Sequence, residues 1–144
     1  MKTLIFIDSE FNDYKGELIS MALIDINGNE FYESLGCSNP SPWVAENVMP
    51  VIGKKTIDKE NFQDLLSDYL NQYNEIHIVA DWPEDIKHFC DALITGPGQR
   101  IDTPELTMEI RRDLDCTSRI PHNALEDVRS IRNLYLSKVI DNEN

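Results

Sequence analysis

The chain has 144 residues, 41% of them apolar, and a formal charge of −13 from 26 acidic and 13 basic side chains. That length is enough for one domain with a real core. The charge argues against long electrostatic tracking of a duplex, because such affinity comes largely from phosphate neutralisation by basic residues. Three cysteines (Cys37, Cys90, Cys116) show no metal-ligand spacing, and their odd number points to a reduced, cytoplasmic chain.

In chain order, residues 3–8 read as a continuous apolar strand buried on both faces. The run is too short for a signal-peptide core or a membrane span. Asn12-Asp13-Tyr14-Lys15-Gly16 is a turn and residues 17–25 a second strand. Asn27-Gly28 predicts a hairpin into a third strand over 30–35, so the chain opens with an antiparallel meander. Residues 38–57 hold Pro40, Pro42 and Pro50 and read as irregular, with a short helix over 44–48. Phe62, Leu65, Leu66, Tyr69, Leu70 and Tyr73 recur at helical spacing, and Asp58 is a candidate N-cap.

Residues 76–80 predict a fourth strand, and Pro83 begins a helix running to about Ile94. Gly96-Pro97-Gly98 ends that unit, and 99–102 reads as a short fifth strand. Thr103-Pro104-Glu105 reads as a helix start with proline first. The last helix is expected from about Asn123 to about Val139, and 141–144 as a disordered tail behind a single domain over 1–140. The class is therefore α/β, a mixed sheet with flanking helices: a meander followed by strand–helix units.

Three groups of residues stand at the edges of these elements. Asp8 and Glu10 share one strand face, with Cα atoms roughly 6.5–7 Å apart, while Ser9 points the other way. Both carboxylates can reach one hard cation or a close pair. Asp81 follows the fourth strand, and Glu84 and Asp85 fall in the first turn of the next helix. Capping and the helix dipole account for Asp81 and Glu84 without any function. Asp85, about one turn on, is placed to lean back over the strand end. His122 and Asp127 would diverge by about 140° on one helix. They converge if Asn123 is the N-cap, with Glu126 completing a capping-box pattern and His122 left in the flanking loop.

The order Asp-x-Glu on the first strand, [Asn/Asp]-x-x-x-Asp entering a helix, and His-x-x-x-x-Asp at the last helix resembles the DEDDh 3′–5′ exonucleases of the ribonuclease H-like superfamily. The resemblance spans Asp8 to Asp127 and rests mainly on Ile7-Asp8-Ser9-Glu10-Phe11 and His122-Asn123-Ala124-Leu125-Glu126-Asp127. With the compact size, the chain looks most like the small RNase AS-type exoribonucleases. The resemblance implies a ribonuclease H-like fold with Asp8, Glu10, Asp85 and Asp127 as metal-binding carboxylates. His122 matches the general base. Asp81 falls where many relatives carry asparagine, which leaves open whether it or Asp85 faces the metals; Asp85 is the residue of choice. The tyrosine-type branch would place Tyr where this chain has Asn123. Phe11 matches the position that stacks on or wedges against the terminal base, and core packing is an equal reading of it.

The resemblance also implies two Mg²⁺ or Mn²⁺ ions, a single-stranded 3′ end as substrate, nucleoside 5′-monophosphates as products, and a homodimer as a common arrangement. RNA over DNA rests on the RNase AS likeness alone. A DNA exonuclease with the same site is one alternative. A non-catalytic acidic module that mimics nucleic acid is another, and it has no need of His122.

Overall fold

The computed structural model describes residues 2–143. The opening meander is as expected: β1 (Thr3–Phe11), β2 (Leu18–Asp25) and β3 (Glu30–Ser34), with β2 antiparallel to both neighbours. Gly28 takes the positive φ, +99°, that the β2–β3 turn needs, and Asp25 Oδ1 accepts the amides of Asn27 and Asn29 across it. β1 runs three residues past the expected end at Asp8. Asp8 and Glu10 therefore lie within the strand, opposite Ala22 and Ser20.

After the short helix α1 (Pro42–Asn47), capped by Ser41, comes α2 (Lys59–Leu70), whose first turn is capped by Asp58 through the amide of Asn61. β4 (Glu75–Ala80) then pairs parallel with β1, and α3 (Pro83–Leu93) crosses back over the sheet.

The next segment departs from expectation twice. The strand expected over 99–102 is instead the second arm of a small hairpin, β5 (Ile94–Gly96) and β6 (Gln99–Arg100), outside the main sheet. The helix expected from Pro104 is a strand, β7 (Glu105–Ile110), parallel to β4. Leu106 and Met108 alternate inward from it onto the core. A period of two and the open edge of β4 outweigh the local Thr-Pro-Glu helix-start cue, because β7 gains a full ladder of hydrogen bonds there. The last helix, α4, spans Ala124–Glu143 and so carries 141–143 of the stretch expected as a tail; Asn144 lies outside the described residues.

The main sheet has the order β3-β2-β1-β4-β7, a mixed five-stranded sheet. Ile5, Ile7, Ile76 and Ile78 face α2 and α3, where they pack with Phe62, Leu66, Leu70 and Phe89. Phe6 and Val79 face the other way, onto Val128 and Ile131 of α4. The central strand is thus buried on both faces, as its unbroken apolar run implies. Each of these side chains contributes about 1.5–3 kcal/mol by leaving water. Among the described residues no helix is long and apolar enough to cross a membrane.

Candidate metal centre

Ala80, the last residue of β4, pairs with Ile7, so β1 continues past its parallel neighbour. Chain ends of parallel strands are where open α/β sheets place ligands, and the acids gather there. One carboxylate oxygen from each of Asp8, Asp81 and Asp85 lies within 4.8 Å of the others, and the same holds for Asp8, Glu10 and Asp127. Asp8 belongs to both groups. Five acids from β1, the β4–α3 junction, α3 and α4 therefore share one site.

Asp85 is 2% exposed. Ser9 donates to its Oδ1 twice, from the backbone N at 3.1 Å and from Oγ at 2.6 Å. The stretch of β1 beyond Ala80 has no β4 partner, which leaves the Ser9 amide for the acid. Ser9 does point away from the Asp8–Glu10 face, and there it anchors α3. Asp81, in contrast, caps nothing: Trp82 holds the N-cap position of α3 without a side-chain bond. Three side-chain oxygens among the described residues are buried without a hydrogen-bond partner, and Asp8 Oδ2 and Asp81 Oδ1 are two of them. Such orphans are costly in a finished interior. They fit an arrangement of acceptors around a cation, and hard divalent ions take such oxygen sets.

His122 sits in the loop before α4, as its flanking position predicts, with a positive φ of +68°. Its neighbour Asn123 caps the helix, accepting the Glu126 amide at 2.9 Å, and Nδ2 ties the cap to the carbonyl of Val51 at 2.7 Å. The reciprocal half of the expected capping box is not made. The Asn123 amide turns back to Ile120, and the Glu126 carboxylate pairs with Arg129. Asp127, one turn into α4, accepts from the hydroxyl of Ser118. A cleft of about 400 Å³ opens here, lined by Asp8, Asp81, Ser118, His122 and Asp127. A larger cleft of about 650 Å³ lies between Lys15, Lys59, Lys87 and Phe62. None of its acids belongs to either group with metal-binding spacing.

Burial and crowding hold these acids toward their protonated forms. Asp8 is raised well above the usual carboxylate range by burial, and then by repulsion from Asp85 and Glu10. Burial and the nearby Asp127 push Glu10 up to about 9. Asp85 rises to about 7, burial prevailing over the Ser9 hydrogen bonds that favour its charged form. Asp127 and Asp81 are raised too, again first by burial. A positive ion would reverse this balance, since it favours every carboxylate in its ionised form.

The aromatic side chains complete the surroundings. Phe11 stacks on His88 at 4.9 Å, with the rings 29° apart. Trp82, next after Asp81 in the chain, has the guanidinium of Arg112 over its ring, and Trp43 meets His122 nearly perpendicular at 4.9 Å. Ser9, Ser118 and the two tryptophans were not singled out by motif. Only Ser9, set between two acids, carried any signal in the sequence.

No family model matches the sequence, and no curated protein matches it. The fold is similar to the crystal structure of cell-death related nuclease 4 (CRN-4), at a TM-score of 0.57 and 19% sequence identity. The match covers 98% of this chain and 64% of that one, so the chain spans less than two thirds of the nuclease it resembles. With its mixed sheet in the order β3-β2-β1-β4-β7 and its flanking helices, the chain has the ribonuclease H-like α/β fold.

Proposed function

We propose that residues 1–140 form a single metal-dependent 3′–5′ exonuclease domain that shortens single-stranded 3′ ends, RNA by preference. The observation that carries this is the pair of buried, unpartnered oxygens of Asp8 and Asp81 in a five-acid cluster that shares a cleft with His122. The similarity to a structure named as a nuclease supports it. The preference for RNA rests on the RNase AS-like sequence motifs.

Asp8, Glu10, Asp85 and Asp127 would hold Mg²⁺ or Mn²⁺, two ions per site, with Asp81 beside them. Divalent ions there supply Lewis-acid polarisation of the scissile phosphate and a water that loses its proton readily. His122, which lines the same cleft as Asp8 and Asp127, would serve as the general base for the attacking water. Asn123 fixes where His122 emerges, and Ser9 and Ser118 fix Asp85 and Asp127. Phe11, stacked on His88, would contact the terminal base. The acidic-mimic reading fits less well, because it gives no role to five acids gathered from four segments around one cleft with His122.

The test is digestion of a 5′-labelled single-stranded RNA and its DNA twin with Mg²⁺, Mn²⁺ or EDTA. A ladder shortening from the 3′ end only with metal is expected, lost in Asp8→Ala and slowed roughly 10²–10⁴-fold in His122→Ala. The faster twin names the substrate. Folded protein that cleaves neither would overturn the reading.

A further inference from the structure

The chain contains two tryptophans, both half-exposed: Trp43 packs against His122, and Trp82 directly follows Asp81 and lies under Arg112, which is bonded to the Asp81 carbonyl. Trp82 is 46% and Trp43 48% exposed. Exposure alone is ordinary for single apolar side chains; what singles out these two rings is that each adjoins a residue of the candidate site, Asp81 or His122. We propose that Trp82 and Trp43 are stacking surfaces for unpaired bases of the nucleic-acid strand entering this site. The inference rests on the nuclease reading above and adds how the strand is held.

The Trp82 ring is fixed before any ligand arrives. Its Nε1 donates to Glu84 at 3.0 Å, and the Arg112 guanidinium lies 4.9 Å from its centroid. Arg112 is itself tied to the carbonyl of Asp81 at 2.5 Å. An ordered ring loses little rotamer freedom on binding. The platform also joins an aromatic surface to a cation, in a chain with few cations to spare, and nucleotides offer the matching pair of π-face and phosphate. Trp43 makes a nearly perpendicular contact with His122. Arg119, its side chain 83% exposed and 3.9 Å from Glu126, brings a second cation to the loop before His122, as Arg112, 3.7 Å from Asp115, does beside Trp82.

Duplex bases are already stacked and cannot use these surfaces, so the strand must be unpaired there. Stacking reads no base edge, so recognition by these rings is tolerant of sequence. This also answers the difficulty posed by the net charge of −13: affinity comes from a few bases and local cations rather than from a basic surface.

The experiment follows tryptophan emission during titration with a single-stranded oligomer whose 3′ linkages are phosphorothioates, in the presence of Mg²⁺. Trp43→Phe leaves Trp82 as the sole reporter, and Trp82→Phe leaves Trp43. Quenching of both reporters is expected, and a twin with abasic sugars at its last positions should quench neither. Trp82→Ala should weaken binding roughly 5- to 100-fold, the range of base–aromatic stacking, and Trp82→Phe should recover most of that loss. Both rings are half-exposed, so thermal melts should show the variants folded. Unchanged affinity in Trp82→Ala and Trp43→Ala, or equal binding of the abasic twin, overturns the proposal. If a metal-dependent ladder persists in that case, the nuclease reading stands alone. Base-dependent quenching without any cleavage supports stacking and sinks the nuclease reading instead.

Discussion

Raising the pH should destabilise the metal-free protein, and divalent ions should reverse the loss. Asp85 has its pKa lifted from 3.8 to about 7 by burial in the folded state, and Glu10 from 4.5 to about 9. Between those limits the folded chain keeps protons that the unfolded chain releases. Stability contributed by these groups is therefore fully present below about pH 4 and is lost as pH rises through the folded pKa values. For Asp85 the rise from 3.8 to about 7 corresponds to on the order of 4 kcal/mol. At about 3 °C per kcal/mol for a chain of this length, Tm should fall by on the order of 10 °C from about pH 5 to about pH 8.

Mn²⁺ or Mg²⁺ competes with these protons, so millimolar metal should raise Tm far more at the higher pH and release protons on binding. Thermal melts in EDTA and in metal, across that range, make the measurement. Asp85→Asn keeps the acceptor for Ser9 but removes the titration, and should flatten the slope. A metal-free Tm that is constant or rises across the range would refute the reasoning. So would a metal effect no larger at high pH than at low.

Two further substitutions probe what positions the site. Ser9→Ala removes the 2.6 Å hydroxyl bond to Asp85 while sparing the 3.1 Å amide bond. It should cost about 1–3 kcal/mol in urea unfolding and weaken Mn²⁺ binding by calorimetry several-fold; unchanged Mn²⁺ affinity would show that Ser9 does not orient the acid. Asn123→Ala removes the α4 cap and the tie to Val51. About 1–2 kcal/mol of stability should go, with a parallel loss of cleavage rate, because His122 precedes the cap.

Much of the site was legible locally. Alternation along a strand puts Asp8 and Glu10 on one face whatever else the chain does, and the structure keeps them there. An asparagine cap at 123 separates His122 from the helix that carries Asp127, and this too depends on neighbouring residues alone. The Asn27-Gly28 turn likewise carries its own instruction, since only a few residue types accept its backbone angles.

What failed was non-local. The Thr103-Pro104-Glu105 cue is a sound helix start in isolation, yet the segment becomes β7 because β4, some thirty positions earlier, offers an unpaired parallel edge. The hydrogen bonding of Asp81 and Asp85 could not be told from spacing: Asp85 takes two bonds from Ser9, and Asp81 Oδ1 has none. The sequence by itself determined the acids, the histidine and the faces they occupy, since strand and helix periods are properties of the backbone. Tertiary structure alone decided that five acids from four segments meet within one desolvated cluster, because the repulsion and burial that raise their pKa values exist only once those segments are packed together.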